Sequence, residues 1–160
     1  MRRWIVVVAL LAVVVSTSNA YAKDYTIREL AKPTGYTDAE VLSMNDSGVV
    51  VGGVYDASGV EHSAVWKTDG TVQIDPLTLP VGWRSRAVGI NNQGQVLLDA
   101  IDPQFGEYGY LLNSDGTYQE VGTLGGTSTW VYGLNDSGQV VGGSITDTGL
   151  FDWAHYPNIF

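Results

Sequence analysis

The feature that most constrains the fold of this chain is a phrase of 11 residues that is written three times. It reads SMNDSGVVVGG at 43–53, GINNQGQVLLD at 89–99 and GLNDSGQVVGG at 133–143. Aligned on Asn45, Asn91 and Asn135, the copies are 46 and 44 residues apart. A period in the forties is typical of β-propeller blades or of another architecture of repeated strands.

Each repeat predicts four short β-strands. The first strand ends before the asparagine, and an Asn-x-x-Gly hairpin leads into the second, because Asn bonds to nearby backbone and Gly accepts the left-handed conformation. A third apolar segment starts 17 residues after each asparagine, as HSAVW at 62–66, YGYLL at 108–112 and DWAHY at 152–156. A fourth strand follows Gly70 and Gly116. The mature chain shows no sustained helical periodicity, so an all-β fold is expected.

The predicted first strands are 41–44, 87–90 and 131–134. Large residues alternate in them with small ones, which predicts that the large set packs against a neighbouring sheet. This set comprises Leu42, Met44, Val88, Ile90, Tyr132 and Leu134. We further expect an N-terminal strand at 25–30 that completes the last sheet, which would make three four-stranded sheets.

The N-terminus predicts export. A basic start is followed by an apolar run at 5–15 and by small residues around Ala20 and Ala22, the pattern of a secretory signal peptide at 1–22. The remaining residues, 23–160, are enough for one repeat domain, with repeats at about 25–70, 71–116 and 117–160. The expected location is therefore extracellular or periplasmic, with no membrane span after cleavage.

The composition excludes some classes of function. The formal net charge of −9 falls by two, to −11, when Arg2 and Arg3 are removed with the signal peptide. A surface of that sign repels phosphate backbones, so nucleic acid is not an expected partner. The chain has 0 cysteines, which excludes disulfides, thiol nucleophiles and thiolate metal sites. We expect no cofactor and no metal.

The three phrases, followed by HSAVW at 62–66 and by EVGTLGGTS at 120–128, resemble the extracellular HAF repeat family. Its repeat is similar in having a Gly-Ile-Asn-x-x-Gly-Gln-Val-Val-Gly hairpin, a His-Ala-Phe-like strand and a Leu-Gly-Thr-Leu-Gly-Gly tail. The resemblance covers about 25–156. It implies β-propeller-like repeats of a secreted protein and no enzymatic role.

Two architectures fit the repeat arithmetic. Propeller-like blades are favoured by the resemblance and by the short first hairpin, but three blades are fewer than a closed propeller needs. A β-trefoil, with three repeats of four strands, is the alternative. With blades, an unpaired sheet edge favours self-association, for example as three plus three blades from two chains.

The candidate ligand site lies in the segments between the fourth and first strands, which a propeller would gather on one face. Exposed aromatic rings beside charged groups suit binding of a glycan or a protein. The candidate residues are Tyr36, Asp38, Trp83, Arg84, Arg86 and Trp130. The predicted function is thus a non-catalytic binding module.

Two alternatives remain open. A polysaccharide hydrolase or lyase could use the carboxylates of Asp99, Asp102 or Glu107 as an acid/base pair. A structural envelope protein, or a truncated copy of a longer array, needs no site at all. His62 and His155, the two histidines, are expected to be packed strand residues rather than ligands.

Overall fold

The computed structural model describes residues 27–156, which form eleven β-strands and no helix. The predicted signal peptide at 1–22 lies outside the described residues. In chain order the strands are β1 (Tyr36–Met44), β2 (Val50–Asp56), β3 (Glu61–Trp66), β4 (Val72–Ile74), β5 (Arg84–Ile90), β6 (Val96–Ile101), β7 (Glu107–Leu112), β8 (Tyr118–Glu120), β9 (Gly125–Leu134), β10 (Val140–Thr146) and β11 (Phe151–Tyr156). The all-β prediction is confirmed. Within 27–156, no helix is long and apolar enough to cross a membrane.

The strands form three separate antiparallel sheets, one for each repeat. Sheet 1 has the order β1-β2-β3-β4, sheet 2 the order β5-β6-β7-β8, and sheet 3 the order β9-β10-β11. Each sheet is a meander, because every strand pairs with the next one along the chain.

The predicted Asn-x-x-Gly hairpins form at the same place in all three sheets. The Gly48 N–H donates to the Asn45 carbonyl at 2.9 Å, with Gly48 at a φ of 80°, and the Asn45 Oδ1 accepts from the Val49 N–H at 3.0 Å. Equivalent bonds form at Asn91 and Asn135. The three turns lie side by side, since the Asn45 side chain donates to the Asn91 carbonyl and the Asn91 side chain donates to the Asn135 carbonyl.

The first strands differ from the prediction in length and regularity. β1, β5 and β9 start several residues before the predicted first strands. Each also contains a one-residue bulge at an equivalent position, where Leu42, Val88 or Tyr132 has no partner in the register. A bulge bends and twists its strand, so the repetition gives all three sheets the same local bend.

The predicted N-terminal strand does not appear in the described residues. Residues 27–30 have no strand pairing, and they lie against sheet 1 rather than sheet 3. The Trp66 indole N–H donates to the Ala31 carbonyl at 2.8 Å, and Leu30 packs beside Trp66. Within 27–156, sheet 3 therefore has three strands, and the prediction of three four-stranded sheets is not confirmed.

The sheets stack in chain order around two apolar cores. Between sheets 1 and 2, the core contains Val51, Val65, Leu77, Ala87, Ile90, Val96, Leu98 and Leu112. Between sheets 2 and 3, it contains Leu97, Val121, Val131 and Val140. Sheet 2 is thus covered on both faces, as a central layer.

The predicted packing of the large first-strand residues holds only next to sheet 2. Val88 and Leu134 pack against the core between sheets 2 and 3, and Ile90 is buried between sheets 1 and 2. In contrast, Met44 is 66 % exposed and Tyr132 53 % exposed. The reason is that the described parts of sheets 1 and 3 each have a neighbouring sheet on only one face.

Candidate functional site

The starts of β1, β5 and β9 define one end of the molecule. Because strands in a meander alternate in direction, these starts lie opposite the Asn turns. The β2–β3 and β6–β7 hairpins and the segment 75–83 between sheets 1 and 2 reach the same end. We call it the crossover end.

The six predicted ligand residues belong to these segments, but the predicted loops are mostly strands. Only Trp83 precedes its strand; Tyr36 and Asp38 lie in β1, Arg84 and Arg86 in β5, and Trp130 in β9. The reason is that β2 and β6 extend beyond the repeated phrases, which end at residues 53 and 99. The added residues supply pairing partners, since Tyr36 pairs with Asp56 and Arg84 pairs with Ile101.

Trp83 and Arg84 belong to an aromatic cluster with the β6–β7 hairpin. The rings of Trp83 and Tyr108 lie 4.8 Å apart between centroids, at 31° between planes. The Arg84 guanidinium lies 5.8 Å from the centroid of the Phe105 ring, within range of a cation–π contact. Phe105 is 75 % exposed. The cluster therefore combines a stacked ring pair with an exposed ring beside a cation.

Asp102 holds this hairpin in place. Its Oδ1 accepts from the N–H groups of Gln104 and Gly106, each at 2.8 Å, and its Oδ2 accepts from the Tyr108 hydroxyl at 3.1 Å. These bonds, the one from Gly106 foremost, lower the pKa of Asp102. Phe105 has a φ of 67°, a left-handed conformation that this turn imposes. Asp102 is thus a turn residue whose carboxylate is kept ionised, which does not suit a general acid.

A second cluster surrounds His62 on β3. Its Nδ1 lies 2.7 Å from Asp75 Oδ2, and its Nε2 lies 3.5 Å from Asp56 Oδ2. Tyr36 meets the imidazole edge to face, with ring centroids 5.7 Å apart. Asp75 has a φ of 43°, unusual for a residue with a side chain. Both nitrogens of the imidazole therefore face carboxylates.

The two carboxylates favour the charged imidazole. Burial alone opposes that charge, but the hydrogen bonds and charges of Asp75 and Asp56 outweigh it and raise the pKa of His62. Because both of its nitrogens face carboxylates, His62 directs neither nitrogen at a substrate, as a general base must.

The hydroxyl groups nearby do not form a nucleophile with His62. The Ser63 and Ser85 hydroxyls lie 3.4 and 3.3 Å from Asp75 Oδ1, and Ser85 donates to Ser63 at 2.9 Å. A Ser-His-Asp triad needs a hydrogen bond between the serine hydroxyl and a nitrogen of the imidazole. Here the serines instead position the carboxylate.

A cleft of about 280 Å³ joins the two clusters. Its walls include His62 and Asp75 on one side, the turn at Pro80 and Gly82, and Trp83. Polar groups that converge beside an aromatic wall are typical of small-ligand sites. Of the predicted ligand residues, Trp83 thus lines the cleft directly, Tyr36 contacts its His62 wall, and Arg84 lies beside Phe105 at the crossover end.

Arg86 lies apart, in an ion pair between sheets 2 and 3. Its Nε and Nη2 lie 3.2 and 3.1 Å from Asp99 Oδ2, and Asp99 is 2 % exposed. Burial raises the pKa of Asp99 to about 6, against the charge of Arg86. Within 27–156, Asp99 Oδ1 is the buried side-chain polar atom without a hydrogen bond. An enclosed Asp99 does not suit direct contact with a polysaccharide.

Asp38 and Trp130 lie outside these two clusters. The Asp38 Oδ1 accepts from the N–H of Ala39 at 2.8 Å. Trp130 is partly buried in β9, where it pairs with Gly143 across sheet 3.

Sequence reasoning missed four residues of the site. His62 was expected to be a packed strand residue, and Asp75, Phe105 and Tyr108 were not singled out as ligand residues. The hairpin DPQFG at 102–106 carried a usable signal, since Asp-Pro and Gly mark a turn that here presents Phe105. The pairing of His62 with Asp75 had no such signal, because no motif links residues at that spacing.

No group of three or more His, Cys, Asp or Glu residues in 27–156 is arranged to hold a metal ion. Comparisons with models of protein families, with curated proteins and with solved structures found no match to this chain.

Proposed function

We propose that this protein is an exported, non-catalytic binding module whose ligand lies over the crossover end, with a glycan as the favoured ligand. The observation that carries the proposal is the joined surface of the Trp83–Tyr108 ring pair, the Arg84–Phe105 pair and the His62–Asp75 cleft. Flat aromatic faces suit stacking on a sugar ring, and the charged groups at their rim suit its hydroxyls.

The architecture in this proposal is an array of propeller-like blades, in line with the resemblance to HAF repeats. It is supported by the meander order of each sheet and by the face-to-face stacking of the sheets in chain order. A trefoil would instead share its strands in a common barrel. A rigid array of this kind holds binding loops at one end.

The non-catalytic reading rests on the state of the candidate acid/base groups. Hydrogen bonds hold Asp102 ionised in a turn, Asp99 is enclosed with Arg86, and the carboxylates around His62 favour its cationic form. None of these groups presents an uncommitted acid or base to a ligand: Asp102 is hydrogen-bonded within its turn, Asp99 is 2 % exposed, and both nitrogens of His62 face carboxylates.

The test is binding of the purified protein to a glycan panel, with product release measured on the same glycans. We expect binding without turnover, and roughly tenfold or greater loss of affinity in Trp83→Ala and Arg84→Ala, as for residues at the centre of a contact. Tyr118→Ala is the matched control, because Tyr118 is an exposed aromatic residue of β8 near the Asn-turn end.

Two results would refute the proposal. One is a glycan bound equally well by the parent and by both variants. The other is release of products that stops in Asp102→Asn, which would establish the hydrolase or lyase alternative.

A further inference from the structure

The three Asn turns are joined by a directional ladder of hydrogen bonds. The Asn45 side chain donates to the Asn91 carbonyl at 3.2 Å, and the Asn91 side chain donates to the Asn135 carbonyl at 3.1 Å. Every rung thus runs from a donor in one sheet to an acceptor in the next sheet. At sheet 3, the Asn135 amide donates to Gln139 Oε1 at 2.6 Å, as the Asn91 amide does to Gln95 Oε1. Asn91 uses its second N–H for the next sheet, and in Asn135 the equivalent N–H points beyond sheet 3.

A second set of rungs follows the same direction. The Asp46 N–H donates to Asn92 Oδ1, and the Asn92 N–H donates to Asp136 Oδ1, both at 2.8 Å. The Asn92 side-chain amide lies between the two carboxylates, 2.8 Å from Asp46 Oδ2 and 3.0 Å from Asp136 Oδ2. The outermost groups are therefore the Asp136 N–H at sheet 3 and the Asp46 Oδ1 at sheet 1.

The exposed face of sheet 3 is equivalent to the face of sheet 1 that packs against sheet 2. Val51 of sheet 1 is fully buried against Ala87, Ile90 and Val96 of sheet 2. By the repeat, Val141 of sheet 3 is equivalent to Val51, and it is 47 % exposed.

On sheet 1, the equivalents of Ala87, Ile90 and Val96 are Val41, Met44 and Val50. Val41 is 53 % exposed, and all three line an apolar groove of about 540 Å³ beside Leu30. Val51 packs against Ala87, Ile90 and Val96, so the residue expected to pack in this groove is the equivalent of Val51, which is Val141 on sheet 3 of a second copy.

We infer that two copies of this chain associate head to tail, with sheet 3 of one copy stacked on the exposed β1 side of sheet 1 of the next. The segment 27–31 covers the β3 side of that face, where Leu30 packs beside Trp66. The Val141 face enters the groove at Met44. The Asn135 side chain donates to the Asn45 carbonyl of the second copy, and the Asp136 N–H donates to its Asp46 Oδ1. Because the two contact surfaces differ, one on sheet 3 and one on sheet 1, repeated association either closes into a ring of copies or extends as a filament. This inference does not depend on the proposed ligand.

This contact differs from the internal ones in one electrostatic respect. Inside the chain, the amide of Asn92 separates the carboxylates of Asp46 and Asp136. At the junction between copies, no amide separates Asp136 from Asp46 of the second copy, so the two negatively charged carboxylates lie next to each other and repel each other. Salt screens this repulsion, and Asp46→Asn places an amide where Asn92 has one. Both changes are expected to strengthen association.

The experiment is sedimentation velocity of the purified protein over a range of protein and salt concentrations. We expect reversible association that strengthens with salt and in Asp46→Asn, whereas Asp147→Asn, the same charge change in the β10–β11 turn, has a smaller effect. Met44→Lys and Val141→Lys each weaken association at least roughly tenfold, because each buries an unpaired charge at the junction. Val81→Lys, at an exposed position of the segment 75–83 between sheets 1 and 2, leaves the strength of association unchanged.

The decisive sample is an equimolar mixture of Met44→Lys and Val141→Lys. The first variant keeps an intact sheet 3 face and the second an intact sheet 1 face, so the mixture forms a heterodimer although neither variant associates alone. A parent protein and an Asp46→Asn variant that are both monomeric would overturn the inference. So would association that survives both lysine variants, or a mixture that stays monomeric.

Discussion

Sheet 2 and the two outer sheets show how one repeated phrase takes different roles according to its neighbours. Val51, Leu97 and Val141 occupy equivalent places after the Asn turn, but the first two are fully buried and the third is 47 % exposed. The Asn turn and the one-residue bulge recur in all three sheets. Whether a residue at this position is buried therefore depends on whether a neighbouring sheet covers it, and not on its place in the repeat.

The same comparison applies to polar residues. Asp99 of sheet 2 is equivalent to Gly53 and Gly143 of the outer sheets, and only Asp99 brings a carboxylate between two sheets, where it meets Arg86. In sheet 1 a Cβ at Gly53 would lie 2.6 Å from Glu61 Oε1, so this position has no room for a side chain without a shift of Glu61. The middle sheet thus contains an ion pair between a buried Asp99 and a partly exposed Arg86, and the outer sheets have glycine in place of Asp99.

The largest expected effect concerns Asp99. Its pKa is about 6 in the folded state against 3.8 for the ordinary carboxyl, so the folded protein binds this proton more tightly than the unfolded chain. The stability contributed by Asp99 is present at about pH 4 and is lost as the pH rises through about 6, a change of about 3 kcal/mol. Asp99→Asn removes this dependence.

The measurement is the free energy of unfolding of the parent and of Asp99→Asn by urea, from about pH 4 to about pH 7. Carboxylates common to both proteins, such as Asp102 with its lowered pKa, cancel in the difference between the two curves. The charge interaction with Arg86 forms as Asp99 ionises, so its loss in the variant contributes to the difference in slope, whereas a constant offset between the two curves reports the pH-independent effects of the substitution. Parallel curves would contradict the prediction.

A smaller effect tests burial at equivalent positions. Val51→Ala removes two buried methyl groups and leaves a cavity, which is expected to cost about 2 kcal/mol. Val141→Ala makes the same chemical change on an exposed face, and its cost should stay within about 0.5 kcal/mol. Urea unfolding at a dilute protein concentration measures both, and equal losses would mean that sheet 3 is covered like sheet 1.

Much of the fold was predictable because it depends on local chemistry. The Asn-x-x-Gly turns need only the hydrogen-bonding of Asn45 and the left-handed freedom of Gly48, which the sequence displays. The early starts of β1 and β5 were missed because their pairing depends on how far β2 and β6 extend. The N-terminal segment was misplaced because its position depends on contacts distant in sequence: the bond from the Trp66 indole to the Ala31 carbonyl, the bond from Arg28 to the Lys67 carbonyl, and the packing of Leu30.

The candidate site was predictable in part. Trp83 and Arg84 were predicted because aromatic and basic residues stand together next to a turn, and their role in ligand binding stays a prediction. Arg86 was included for the same reason, although its partner Asp99 lies on the next strand and directs it between the sheets. His62 was not predicted as a site residue because Asp75 reaches it from the far end of β4, a contact that only the meander creates.

The smallest expected effect concerns a position where the outer sheets have glycine and the middle sheet has leucine. Gly52 and Gly142 are equivalent to Leu98, and a Cβ at Gly142 would collide with the carbonyl oxygen of Trp130. Gly142→Ala should therefore destabilise the protein, at the lower end of the roughly 1–3 kcal/mol typical of overpacking, because sheet 3 is open on one face and can shift.

Gly89→Ala is the matched control for Gly142→Ala, because a Cβ at Gly89 would have its nearest neighbours at 3.7 Å, an ordinary contact with Leu97 and Leu134. Its effect should stay within about 0.5 kcal/mol even though the residue is buried in the fully covered sheet. If Gly89→Ala were the more damaging change in urea unfolding, then burial between sheets, and not the close approach at the bulge, would decide where this repeat needs glycine. The predicted order instead assigns the glycines of the outer sheets to backbone geometry within each sheet.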